Sequence, residues 1–334
     1  FVPVRSHHYD PELTFDFCVN EPAWSNQAGI HSAFGSTDRL YFRKEVPVNH
    51  DNDLSSSYST TVWRGERANA QILVWSSEAL EQVRVSTQDL RSAEGNIIPK
   101  DRITFELVRY VLSNYPYAEK KAICGESPYK SGFLMPDRFE TLDRFDLPSQ
   151  TTRPVWMMVD VPRGTVPGTY KGQVEVRAKG KAPQLLNLEI VVQNQLLPYP
   201  KDWKYRLDLW QNPWAVAWYN HVEPWSPEHK MLLKQHLKHY ADAGGTYITT
   251  YGVHSPWSDN SYMIEGGMIE WIKKADGTWA FDYKIFDEYV ELAMECGIDE
   301  AITLYTPIPW GFRHRYKDEA TGDYSYICLL YTSP

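Results

Sequence analysis

Up to about Leu197 the apolar residues come in short runs that alternate with polar ones. Beyond about Lys204 they begin to recur at helical spacing. Ala68 to Trp75 reads Ala-Asn-Ala-Gln-Ile-Leu-Val-Trp after a polar turn at Arg64 to Arg67. Val83 with Val85 and the run Ile103 to Leu112 supply further β-rich stretches. Val155 to Pro162, the turn-rich Arg163 to Gly168, and Thr169 to Ala178 form a hairpin pattern. Leu186, Leu188, Ile190 and Val192 then fall on one face of a strand with Asn187 and Glu189 on the other, as a half-buried sheet requires. Many short strands with such turns predict an antiparallel β-sandwich over residues 1–197.

Asn194 to Trp203 contains Pro198 and Pro200, which hold the backbone extended and mark a domain boundary. Tyr205 to Trp210 predicts a strand that stops before Pro213. Ser226 caps a helix opened by Pro227, with Leu233, Leu237 and Tyr240 on one face and Gly244-Gly245 as its stop. Thr246 to Tyr251 follows as a strand. Met268 to Lys274 and Thr278 to Phe281 flank an Asp276-Gly277 turn, a hairpin signature. Asp282 opens a helix with Phe286, Tyr289, Val290 and Ala293 inward, and Ala301 to Tyr305 makes the next strand.

Strand, helix, strand, helix, strand in this order predicts parallel neighbours. Residues 198–327 are therefore expected to form the first part of a (β/α)8 TIM-type barrel. They are far fewer than the roughly 250 residues a complete barrel takes. The chain is expected to be a fragment that cannot catalyse by itself. Its ending, Cys328-Leu-Leu-Tyr-Thr-Ser-Pro334, fits no barrel element, and residues 328–334 are read as a non-native tail resembling translated sequencing-adapter sequence.

The net charge of −9, from 34 basic and 43 acidic side chains among 334 residues, argues against nucleic acid or an anionic membrane as partner, because both need a basic face. No apolar run reaches the ~20 residues of a membrane helix, so no membrane insertion is expected. The four cysteines, Cys18, Cys124, Cys296 and Cys328, show no metal-binding spacing, and no metal or other cofactor is expected. A Cys18–Cys124 disulfide and buried free thiols both remain open. His7-His8 suits an exposed terminus, and Asp51-Asn52-Asp53 a solvated turn that lacks the rest of a calcium loop.

Nine of the 13 tryptophans follow residue 200. The ends of the three expected strands gather Trp210, Gln211 and Asn212, then Tyr251 and His254, then Tyr305 and Trp310. Flat rings stack on the apolar face of a pyranose while Gln, Asn and His bond its hydroxyls, so these seven are the candidate substrate-binding residues for a glycan. Trp214, Trp218 and Trp225 suit packing between domains instead, and His254 serves equally as a structural hydrogen-bonding group. The adjacent carboxylates Asp287-Glu288, Asp299-Glu300 and Asp318-Glu319 fall in a helix, at the opposite strand ends and in a turn, none of them placed for chemistry.

Trp63 to Gln71, Leu207 to Gln211, Trp271 to Phe281 and Ile308-Pro309-Trp310, taken as an ordered set, resemble glycoside hydrolase family 123 over most of the chain. The resemblance implies a β-N-acetylgalactosaminidase, secreted or periplasmic, that retains configuration through the substrate's own acetamido group. An Asp orients that group while the neighbouring Glu acts as general acid and then base. No position here matches the context of that pair, so the resemblance implies no catalytic residue in this chain. A carbohydrate-binding or adhesion protein built on the sandwich, and a hydrolase of other β-glycosides, are the alternatives.

Overall fold

The computed structural model describes residues 12, 21–47, 54–113, 133–256 and 266–329. Cys18, Cys124, His7-His8 and Asp51 to Asp53 lie outside them. The chain divides into two compact units, Phe1–Leu197 and Pro198–Pro334. The strands of the first are β1 (His31–Gly35), β2 (Ser57–Arg64), β3 (Arg67–Ser76), β4 (Leu80–Thr87), β5 (Leu90–Arg91), β6 (Ile97–Ile98), β7 (Ile103–Ser113), β8 (Phe133–Glu140), β9 (Phe145–Leu147), β10 (Thr151–Asp160), β11 (Gly168–Arg177) and β12 (Gln184–Leu196).

One sheet runs β1-β3-β10-β7-β8 and the other β2-β12-β11-β4-β9, with β5 attached to β11 and β6 to β5. Ile72, Val74, Leu107, Val155 and Met157 from the first sheet share a core with Val62, Val83, Val174, Val176, Leu186 and Ile190 from the second. Alternation along each strand puts these residues on the facing sides of a two-layer sandwich. β12 and β2 pair in parallel, whereas β11 and β12 pair antiparallel from Gly168↔Val192 to Val176↔Gln184.

Three guanidinium groups of this unit meet one carboxylate. Arg153 of β10 grips Glu12 with both nitrogens at 2.9 and 3.0 Å. Arg43 reaches it at 2.9 Å and Arg109 of β7 at 3.1 Å. Arg109 also pairs with Glu140. The Tyr110 ring lies under Arg153, whose guanidinium carbon is 5.0 Å from the ring centroid, a cation–π contact.

The second unit holds helices α1 (Pro213–Asn220), α2 (Pro227–Asp242) and α3 (Lys284–Glu295). Its strands are β13 (Tyr247–Tyr251), β14 (Glu270–Lys273), β15 (Trp279–Asp282), β16 (Ala301–Tyr305), β17 (Arg313–Asp318) and β18 (Tyr324–Cys328). Ser226 caps α2, its hydroxyl accepting from His229 N at 3.2 Å. β13 and β16 pair in parallel from Tyr247↔Ala301 to Tyr251↔Tyr305. Leu233, Leu237, Ile248, Tyr251, Tyr289 and Ala293 form the core beneath them.

The expected start of a (β/α)8 barrel is not what this unit forms. Among the described residues its parallel sheet has two strands, and its other sheet is the mixed four-stranded β15-β14-β17-β18. Among the described residues strands predominate over helices. Residues 205–210, expected as a barrel strand, make a single bridge, Leu207↔Gly245.

The reason is chemical. Tyr240 puts its hydroxyl where a ladder would run, bonding to Leu207 O at 2.7 Å and accepting from Leu209 N at 3.3 Å. Further along, the Gln211 side-chain oxygen accepts from Thr249 N at 2.8 Å, the place of a backbone carbonyl. Two side chains thus take the hydrogen bonds that a neighbouring strand would have made. Cys328 pairs with Arg313 as the last residue of β18, and Leu329 N bonds to Phe312 O at 2.8 Å just beyond it. Leu330 to Pro334 lie outside the described residues.

Candidate functional site

The carboxyl ends of β13 and β16 are tied together by a bond from Gly252 N to Tyr305 O at 3.0 Å. Over this junction the Trp210 ring lies 5.4 Å from that of Tyr305. Trp210 is 61% exposed, a large apolar face turned to water. Tyr305 in turn lies 6.5 Å from Tyr251. Trp214 closes the stack from below, edge-on to Tyr251 at 5.2 Å and to Trp225 at 5.5 Å.

The seven candidate residues thus divide by role. Trp210, exposed, and Tyr305, half-buried, form an aromatic pair tilted by 53°, the platform of this face. Tyr251 is buried and donates its hydroxyl to Gln211 O at 2.7 Å. Gln211 spends its side-chain oxygen on Thr249 N, as above. Asn212 caps α1, its side-chain oxygen accepting from Ala215 N at 3.2 Å. These three hold the platform in place.

Trp310 is exposed, and its backbone N bonds to Pro256 O at 2.8 Å, which brings it beside the chain that follows His254. Trp214 and Trp225 pack inside the second unit's own core, while Trp218 is exposed. His229, fully buried, accepts from Trp225 N through Nδ1 at 2.8 Å and donates from Nε2 to Pro213 O at 2.9 Å. Both ring nitrogens are used, which fixes a neutral tautomer and pins α1 to α2.

His254 is half-buried, and burial first, then the neighbouring Arg315 charge, push its pKa down to about 4. At neutral pH it is therefore an uncharged hydrogen-bonding group. Between an unperturbed value near 6.5 and about 4 the unfolded chain binds a proton that the folded chain does not. His254 is expected to make stability fall as pH drops through that window. An NMR titration of its imidazole checks this: a midpoint near pH 6.5 would refute it.

The paired carboxylates are engaged elsewhere. Glu288 bonds Lys230 at 2.6 Å, and Glu319 bonds Lys274 at 2.9 Å. Asp318 accepts from Ala320 N at 3.0 Å, and Tyr247 OH reaches Glu300 at 3.5 Å. Among the described residues no group of three His, Cys, Asp or Glu side chains is placed to hold a metal ion. No helix there is long and apolar enough to cross a membrane.

Three residues near this face escaped the sequence reading. Asp208 accepts from Thr303 Oγ1 of β16 at 3.1 Å. Trp271 donates to Gly252 O at 3.0 Å and packs edge-on to His314 at 4.8 Å. Arg315 stands beside His254. The signal for Trp271 was present, a large aromatic in a hairpin strand, but nothing in the pattern said where that strand would dock.

Residues 210–334 match the family model for the glycoside hydrolase 123 catalytic domain, and residues 34–178 that for the glycoside hydrolase 123 N-terminal domain. A family 123 glycoside hydrolase from Clostridium perfringens, from work on glycolipid glycan hydrolysis, matches with a TM-score of 0.81 at 25% identity. The match covers 92% of this chain and 53% of that one, so the chain spans about half the length of that relative. The ASH/PapD-like domain of human CEP192 matches at 12% identity with a TM-score of 0.26, over 55% of this chain and 99% of that one. A Bacteroides ovatus GH5 xyloglucanase matches at 9% identity with a TM-score of 0.22, over 74% and 43%. Likeness at that level carries no functional argument. None of the curated proteins matches. One family model matches within each unit, and with the Clostridium perfringens structure they assign the chain to glycoside hydrolase family 123.

Proposed function

We propose that the Trp210–Tyr305 platform binds β-linked N-acetylgalactosamine for a retaining, substrate-assisted hydrolysis. The observation that carries this reading is the exposed Trp210 ring packed on half-buried Tyr305 at the carboxyl ends of two parallel strands, within the residues matched by the catalytic-domain model. Stacking takes the apolar face of the ring, and neutral His254 offers a donor or acceptor to a hydroxyl or amide. In the reaction the acetamido oxygen bonds to C1 as the glycosidic C1–O bond breaks, and a general acid protonates the leaving oxygen. Water then opens the cyclic intermediate with retention. None of the described carboxylates is assigned as that acid. The proposed workplace is extracellular or periplasmic, where such glycans are met.

Binding tests the reading independently of turnover. N-acetylgalactosamine methyl β-glycoside is expected to bind more tightly than the galactoside lacking the acetamido group, and to perturb the Trp210 and His254 resonances. Trp210→Ala should weaken binding by about 0.5–1.5 kcal/mol, the worth of one stacking surface. Equal binding of the two glycosides, or an indifferent Trp210→Ala with native stability, overturns it.

A further inference from the structure

Alternation along β17 and β18 gives the four-stranded sheet two unlike faces. Trp271, Trp279, Phe281, His314 and Tyr316 form a contiguous ring cluster on one, from Trp271–Phe281 at 5.1 Å to Trp279–Tyr316 at 5.2 Å. The other carries Arg313, Arg315 and Lys317, each separated from the next by one residue and so by roughly 7 Å. Opposite Arg315 and Lys317 in register stand Tyr326 and Tyr324. Tyr324 is 49% and Tyr326 58% exposed.

The three cations form no ion pair with any described carboxylate. Arg315 instead lies over the Tyr324 ring, 4.2 Å from its centroid. The carboxylates on the same face are two. Glu270 accepts from Tyr324 OH at 3.1 Å, and Asp282 accepts from Lys284 N at 2.9 Å. On a chain of net charge −9, this face sets three cations without a described carboxylate partner among exposed rings. Its middle member, Arg315, stands beside His254, two residues beyond the Gly252 that bonds Tyr305.

We propose that the Arg313–Arg315–Lys317 face of β17, with Tyr324 and Tyr326, is a subsite for an acidic saccharide, extending the platform to glycans that carry sulfate or carboxylate groups. The cations pair with the anionic substituents while the tyrosine rings take the sugar faces. Three charges are few for a membrane surface, which gains about 1 kcal/mol from each basic residue. The overall negative charge repels nucleic acid. A saccharide presents both the anions and the flat apolar faces that this surface matches. The subsite rests on the family assignment for its orientation toward glycans, but its test needs no acetamido preference and no turnover.

The probe is a sulfated chondroitin hexasaccharide titrated calorimetrically into the whole chain at low salt, against its desulfated counterpart, whose uronic carboxylates remain. The sulfated form is expected to bind and the triple variant Arg313→Gln, Arg315→Gln, Lys317→Gln to weaken it about ten-fold, three exposed charge contacts together. Comparison of the two forms separates sulfate from carboxylate recognition. Glu270→Gln should tighten binding, a gain that loss of folding cannot mimic. Affinity unchanged in both variants overturns the proposal. So does tighter binding of anionic phospholipid vesicles or single-stranded DNA than of either saccharide. Failure of the acetamido preference at Trp210 leaves these outcomes intact, so the two readings fail separately.

Discussion

Glu12→Gln is expected to lower the unfolding free energy by about 3–5 kcal/mol, because it leaves buried guanidinium groups without their carboxylate. Glu12, Arg43 and Arg153 have side chains only 6–7% exposed, so water cannot replace the lost charge. Burial by itself raises the Glu12 pKa, but the Arg153 charge and hydrogen bonds from Arg153, Arg109 and Arg43 outweigh it, and the net shift is downward. A carboxylate with a depressed folded pKa contributes stability that is present above its unfolded value, near 4.3, and lost as pH falls through the folded one. Urea unfolding at neutral pH and again in acid checks both parts. A variant as stable as the parent at neutral pH, or a difference that grows on acidification, would refute the account.

Trp214→Ala is expected to cost about 3–5 kcal/mol in the second unit, the usual loss for an aromatic removed from a core. Trp214 touches Trp225 and Tyr251 edge-on, and the neighbouring backbone is shaped around it. A side chain at Gly266 would place its first carbon 2.8 Å from the Trp214 indole nitrogen, which is why glycine stands there. Slowed hydrogen exchange at the amides of α2 and β13 reports the core, and the variant should abolish that protection while sparing β3 and β10. Full protection in α2 and β13 would show that Trp214 is not a core anchor.

What the sequence made legible was local. The start of α2 followed from Ser226 and Pro227, and the β14–β15 turn from Asp276-Gly277, because caps and turns depend on residues a few positions apart. The Glu12 cluster was not legible, since its partners lie 31, 97 and 141 positions away. β17 reads Arg-His-Arg-Tyr-Lys-Asp, without an aliphatic residue to mark an inner face. Its buried positions are His314 and Tyr316, types that periodicity counts as polar or ambiguous.

The candidate site was partly legible for the same reason. Trp210 and Tyr305 have ring centroids 5.4 Å apart, whereas Gln211, Asn212 and Tyr251 bond backbone groups. A sequence shows that a residue can bond a sugar hydroxyl, not that a nearer amide has already claimed it. The run from Tyr205 to Trp210 alternates as a barrel strand would, while backbone groups of Leu207 and Leu209 bond the Tyr240 hydroxyl instead.

That arrangement separates the platform from the scaffold in evolutionary terms. A ladder strand fixes its side chains by register, and a shift of one residue would turn every one of them over. The stretch carrying Trp210 is moored instead by the phenol of Tyr240 and the amide of Gln211. Single substitutions at those moorings are expected to move the indole without breaking a strand pair, so a lineage can reposition that ring while inheriting the sheet unchanged.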